Sequence, residues 1–383
     1  MSGIYIHIPF CKQACHYCDF HFSTSMKKKD ELIDALIIEL QLRKNELQDQ
    51  EVETIYFGGG TPSLLSNEEL VLLIESVYTN YKVSANPEIT LEANPDDLTE
   101  QRIIALSKTP INRLSIGIQS FFEDDLKSMN RAHNAKEAEK CLEFATQYYD
   151  NITIDLIYGI PNMSLEKWQA NLEKAFRFGI NHISSYALTV EPKTALATFI
   201  KKGNYPPIDE ELALEHFNHL VAETEKQGFV HYEISNFGKL NYFSKHNTSY
   251  WQGKTYLGIG PSAHSFHQTK RSWNVSNNSI YIQEIQNNTL PNTVEILSVS
   301  DQYNEYVMTG LRTIWGVSLQ KVENDFGVDY KKHLLKVSQK YIEEELLVTS
   351  SDFDVNQNSI EKLKTTQKGK FLVDGIASQL FVI

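Results

Sequence analysis

Six short β-branched runs, each followed by a helical pattern, succeed one another over residues 1–228. The runs are Ile4–Ile8, Thr54–Phe57, Glu88–Glu92, Arg113–Ile118, Ile152–Ile157 and His182–Leu188. The helical stretches are Lys28–Leu47, Asn67–Tyr78, Thr99–Leu106, Ala135–Tyr148, Ser164–Phe178 and Asp209–Gln227. Parallel neighbours need a crossover of a dozen residues or more, and a helix is the usual one. Six such units in series predict a parallel sheet with right-handed crossovers. Polar or glycine residues stand where the strands end, at Cys11, Gly58, Glu92, Gln119, Asp155 and Tyr186. A barrel displays its functional loops at those ends.

After residue 228 the rhythm stops. Residues 229–299 read as a connecting region, with Asn, Ser, Gly, Tyr and His crowded over Tyr232–Phe266. Asp301–Thr313, Leu319–Phe326 and Tyr330–Glu345 read as helices, Leu346–Thr349 as a short strand and Thr366–Ala377 as a last helix. Residues 300–383 are therefore expected to form a small, mostly helical, winged-helix-like domain. With 36 Lys+Arg against 49 Asp+Glu the net charge is −13, which argues against nucleic acid as a partner. The one basic run, Lys27 to Lys29, reads as a solvated helix start. No apolar run approaches the ~18 residues of a membrane span. The first ten residues lack the basic leader and long apolar core of a secretory signal. A chain with four cysteines, three of them clustered, fits a reducing cytoplasm better than a disulfide framework. The fourth, Cys141, reads as a small buried side chain in a helix.

Cys11, Cys15 and Cys18 are spaced C-x3-C-x2-C directly behind the first strand. Thiolates repel one another and oxidise, so packing alone is a poor reason to gather them. An iron–sulfur cluster is one partner. Zinc is another, with His7, His16 or His21 as fourth ligand, although C-x2-C pairs are its usual spacing. A cubane on three cysteines leaves one iron open for chemistry or a ligand. Phe57-Gly58-Gly59-Gly60-Thr61-Pro62 follows the second strand, and its glycines either make a tight turn or let a ligand approach the backbone.

C-x3-C-x2-C with Tyr17 before its last cysteine resembles the signature of radical S-adenosylmethionine (SAM) proteins. The GGGTP loop, Leu91-Glu92-Ala93-Asn94-Pro95, Ser115–Phe121, Asn130-Arg131 and Ile154–Pro161 resemble the coproporphyrinogen oxidase-like branch of that family. The resemblance implies a partial (β/α)6 TIM-like barrel and a [4Fe-4S] cluster on Cys11, Cys15 and Cys18. It implies a SAM pocket formed by Tyr5, Tyr17, Gly59, Gly60, Thr61, Glu92, Gln119, Arg131, Asp155 and Ala187. Glu92 and Asp155 can accept hydrogen bonds from ribose hydroxyls or an ammonium, and Arg131 can fork onto a carboxylate.

Two activities divide the branch: radical decarboxylation of coproporphyrinogen III, and heme trafficking. The oxidase motif continues to a further cysteine, and Phe20 stands there in this chain. The oxidase also carries an N-terminal extension, whereas Tyr5 is already the SAM-pocket aromatic here. His246-Asn247-Thr248-Ser249-Tyr250-Trp251 resembles the HNxxYW motif of the heme-chaperone members. The expectation is a cytoplasmic heme chaperone that hands heme to respiratory-type acceptors. The resemblance adds a cluster-linked homodimer and peripheral contact with the inner membrane. His246 is the candidate heme ligand and His264 its alternative, each also readable as a histidine hydrogen-bonded within its loop.

Overall fold

A central parallel strand is covered on both faces and so carries little alternation. The first strand, β1 (Ser2–Ile8), has that character: all of its residues but Tyr5 are buried. In the computed structural model, which describes residues 2–353 and 359–383, five more strands follow in order. They are β2 (Val52–Gly59), β3 (Val83–Ala93), β4 (Arg113–Gln119), β5 (Ile152–Tyr158) and β6 (His182–Ala187). All five neighbouring pairs are parallel, and β1 meets β2 with Tyr5 opposite Tyr56 and His7 opposite Gly58. The helices between them begin on the caps their sequences offer. Ser66 with Glu69, and Asn134 with Glu137, form reciprocal capping boxes. Barrel strands and helices share one hydrophobic core.

Residues 229–299 extend this sheet at both edges. Beyond β6 come β8 (Asn236–Gly238) and then β7 (Val230–Glu233), antiparallel to their neighbours. On the other edge β9 (Thr255–Ile259) runs parallel to β1, followed by β10 (His264–His267), β11 (Lys270–Asn274) and β12 (Asn292–Ile296). The sheet has twelve strands among the described residues. A buried carboxylate fastens the β9 edge. Glu39 is fully buried and accepts from Arg43 (3.1 Å), Asn274 (2.7 Å), Tyr281 (2.6 Å) and the Gly260 amide (2.8 Å).

The C-terminal part has a hydrophobic core of its own. Helix Val299–Leu311 leads to β13 (Val317–Ser318), then to helices Leu319–Phe326 and Val328–Glu343. The hairpin β14 (Leu347–Phe353) and β15 (Ser359–Thr365) follows, with β13 on β15 in a three-stranded antiparallel sheet. The short strand expected at Leu346–Thr349 is one arm of this hairpin. The expected helix Thr366–Ala377 is instead a single turn, Lys370–Leu372, running into Val373–Gln379. Among the described residues no helix is long and apolar enough to cross a membrane.

Candidate functional site

The cysteine loop leaves β1 and is tied back at once. Cys11 N–H donates to the Ser23 carbonyl (3.0 Å), and Ser23 N–H to that of Pro9 (2.8 Å). Cys11 Sγ accepts from Thr61 Oγ1 (3.5 Å), and Cys15 Sγ from Arg131 Nη1 (3.4 Å). All four cysteines are free, with Cys141 buried elsewhere as expected. Burial, reinforced by the charges of Cys15 and Cys11, pushes the Cys18 thiol up to about 11, and burial raises Cys11 as well. Three half-buried free thiols in one loop are a donor set that an iron–sulfur core can take up.

The three candidate zinc histidines have other partners. His7 bonds through Nδ1 to the Tyr5 hydroxyl (3.1 Å) and through Nε2 to the His21 carbonyl (3.0 Å). His16 Nδ1 meets the Ser128 carbonyl (3.0 Å), and His21 Nε2 meets Asn278 (2.7 Å). Among the described residues, no three His, Cys, Asp or Glu side chains converge as one metal ion requires. Separate irons of a cubane, each taking one thiolate, need no such convergence.

Behind the thiols lies a cavity of about 450 Å³ at the carboxyl ends of the strands. Tyr17, Gly59, Gly60, Thr61, Glu92, Gln119, Arg131, Asp155 and Ala187 line it with Cys11, Cys15 and Cys18. The glycine loop is shaped by contact as well as by turn geometry. Gly59 has φ +107°, and a Cβ there would lie 2.5 Å from the His7 ring; one on Gly60 would lie 2.6 Å from the Phe10 carbonyl oxygen. Glu92 accepts from the Gly59 amide (3.1 Å) and from the Tyr56 hydroxyl (2.8 Å). Gln119 sits in the left-handed region (φ 65°) where β4 loses register, a strained setting that collects at functional sites. Arg131 donates to Asn94 (2.6 Å), the Gly117 carbonyl (3.0 Å) and Tyr17 (3.3 Å). Burial, with the Glu92 charge beside it, pushes the Asp155 carboxyl up to about 7.

Of the residues expected to form the SAM pocket, Tyr5 is not at this wall. Tyr5 shares the inward face of β1 with His7 but lies one repeat below it, stacked on Tyr56 at 6.1 Å, and does not line the cavity. His246 lies under the barrel, almost fully buried, on the helix Lys245–Trp251. Its Nδ1 bonds Thr54 Oγ1 (2.7 Å) and its Nε2 bonds Tyr250 (2.6 Å). The ring stacks on Tyr56 at 4.8 Å, and burial pushes its titration down to about 3. Ligation of iron through Nε2 would replace the hydrogen bond to Tyr250, while the Nδ1 bond to Thr54 could stay. His264 is exposed and stacks on Trp273.

The sequence reading passed over three residues of the site. Arg113 is 1% exposed, lines the cavity, and has no hydrogen-bond partner for Nε or Nη2. Its signal was a charge opening an otherwise uncharged strand. Tyr56 and Asn94 anchor Glu92 and Arg131 respectively. The motif helix separates this cavity from a second: Asn247 lines the first, whereas Tyr250 and Trp251 line a cleft of about 1240 Å³.

A parallel partial barrel with three thiols and a glycine loop at its mouth defines the radical SAM class. Residues 5–175 match the model of the radical SAM superfamily, and residues 297–353 match the HemN C-terminal domain. The structure of coproporphyrinogen III oxidase (HemN) from Escherichia coli has the same fold, with TM-score 0.84 and 22% identity over 100% of this chain and 90% of that one. The heme chaperone HemW of Bacillus subtilis is 35% identical over 334 residues, 85% of this chain and 87% of its own. HemW of Lactococcus lactis is 32% identical over 98% of each chain. The chain belongs to the HemW family of radical SAM proteins.

Proposed function

We propose that this protein is a heme chaperone that holds a [4Fe-4S] cluster and SAM, binds heme and passes it to acceptor proteins. The carrying observation is identity of about a third with HemW proteins over 85% and 98% of the chain. Phe20 in place of the oxidase's further cysteine, 67% exposed beside the cavity, agrees with it. Cys11, Cys15 and Cys18 would hold the cluster, which when bound supplies an iron with an open coordination position and a source of single electrons.

The chain's own residues then bind and orient. Glu92 keeps the Gly59 amide in place, and Gly59, Gly60 and Thr61 let a ligand lie close to the backbone. Arg131 offers a guanidinium beside the thiols, suited to a carboxylate. Asp155 and Gln119 offer acceptors for hydroxyl or ammonium groups. Tyr17 and Ala187 complete the wall, and Tyr5 acts from behind through His7 and Tyr56. We read the acceptors as respiratory-type heme proteins, the assembly as a homodimer and the location as the cytoplasm, with contact at the inner membrane.

Anaerobically purified protein, offered hemin and coproporphyrinogen III separately, should retain hemin, transfer it to an apo-heme protein and leave coproporphyrinogen unchanged. Steady decarboxylation without hemin transfer would overturn this reading.

A further inference from the structure

Arg113 is a second cation of the barrel cavity, set at the other end from the thiols. It opens β4 and Gln119 closes it, so the two mark the floor and the mouth of one strand. Arg113, Ser115 and Gly117 alternate onto the face that lines the cavity, while Leu114 and Ile116 turn into the hydrophobic core. We propose that Arg113 is the receptor of a small carboxylate at the floor of the barrel, a ligand separate from both SAM and heme.

The surroundings of the guanidinium carry the proposal. Arg113 is 1% exposed, yet neither Nε nor Nη2 has a hydrogen-bond partner among the described residues. A buried charge with an open edge has lost its water and gained nothing in return. Burial raises the Glu92 and Asp155 carboxyls, and the Arg113 charge offsets that rise only in part. Neither carboxylate bonds to Arg113; Glu92 accepts from Tyr56 and the Gly59 amide instead. Thr90 stands opposite Arg113 in the β3–β4 register, on the face of β3 that carries Glu92. It is fully buried, and its Oγ1 also lacks a partner. A cation and a hydroxyl on neighbouring strands are thus both unmet at one level of the barrel.

The same protein shows what this edge accepts. Arg43 uses these two atoms to hold Glu46, with Nε on Oε1 and Nη2 on Oε2, each at 2.8 Å. Nε and Nη2 form one side of the planar fork and match the two oxygens of a carboxylate. A halide has a single centre and cannot pair with both in that way. Ser115 and Thr153, partners across β4 and β5, bring hydroxyls to the same stretch of wall. The ligand is small, because the whole cavity is about 450 Å³ and SAM would take its mouth.

The test is a titration of the full chain, anaerobically purified, with sodium formate at constant ionic strength and chloride as the comparison salt. Formate should raise the thermal midpoint in a saturable way. The carbon NMR line of labelled formate should broaden, and unlabelled formate should sharpen it again. Arg113→Lys keeps the charge without the fork and should weaken formate about tenfold. Arg113→Gln should abolish binding, whereas Arg271→Gln, a cation far along the sheet on β11, should leave it unchanged. Formate no better than chloride, a line that never broadens, or wild-type affinity in Arg113→Lys would overturn the assignment. So would loss of binding in Arg271→Gln. Should Arg113→Gln not fold, the wild-type and Arg113→Lys titrations decide. Hemin and SAM enter none of these readouts, so failure of the chaperone reading and failure of this site are told apart.

Discussion

A methyl group on Gly59 would meet the His7 ring at 2.5 Å and force an L-residue to φ +107°. Backbone strain of this kind costs about 1–3 kcal/mol before the clash is counted. Gly59→Ala should therefore lower the denaturation midpoint and weaken SAM binding more than tenfold; unchanged binding would show that the loop does not need this shape. Asp155 gives a pH prediction. Its carboxyl sits at about 7 in the fold against an ordinary 3.8. A raised value means the fold favours the protonated form. The resulting stability is complete below about pH 4 and is lost as pH rises through 7. The buried histidines are lowered and act in the opposite sense, so the difference curve is the informative one. Subtracting the Asp155→Asn stability profile from that of wild type should leave a decline confined to pH 4–7, and a flat difference would contradict it. Cysteines, glycines and Glu92 were legible in the sequence because each has few other reasons to be where it stands. The sequence singles out His246 but cannot show that Thr54, far off in the chain, and Tyr250, one turn on, bond its two nitrogens.

At the scale of elements, β1 to β6 could be read directly because runs of buried β-branched residues alternate with long amphipathic helices. The edge strands β7 to β11 could not. They are three to five residues long and carry Gly, Asn and His, too short to display a period, and they are held by partners from elsewhere. Glu39 is the clearest such partner, reaching Gly260 and Asn274 on the extension from a helix over two hundred residues earlier. Glu39→Ala leaves Arg43 paired with Glu46 (2.8 Å) but takes the acceptor from the buried donors of Asn274, Tyr281 and the Gly260 amide. A buried donor left without an acceptor costs about 1–3 kcal/mol. A urea midpoint within error of wild type would refute that role. Hydrogen exchange should show the loss concentrated in β9 to β11.

For the whole molecule, Arg312 ties the parts together. It bonds Glu233 at the sheet edge (3.2 Å) and Asp374 in the last helix (2.5 Å), and it covers Trp251. Arg312→Ala leaves Glu233, 2% exposed, without its cation, at a cost of about 2–5 kcal/mol. Limited proteolysis should then separate the C-terminal domain from the barrel faster than in wild type, and an unchanged rate would show the contact to be incidental. The C-terminal helices were legible in outline, but the hairpin was not, since one arm alone carried a visible β pattern. The cluster and its nucleotide underlie all of the functional reading. The most direct test is electron paramagnetic resonance of the anaerobically reconstituted, reduced protein before and after SAM is added, with Cys15→Ser in parallel. The account predicts a reduced cubane signal that shifts on adding SAM and is absent in Cys15→Ser. A wild-type signal indifferent to SAM, or no bound iron and sulfide, would contradict it.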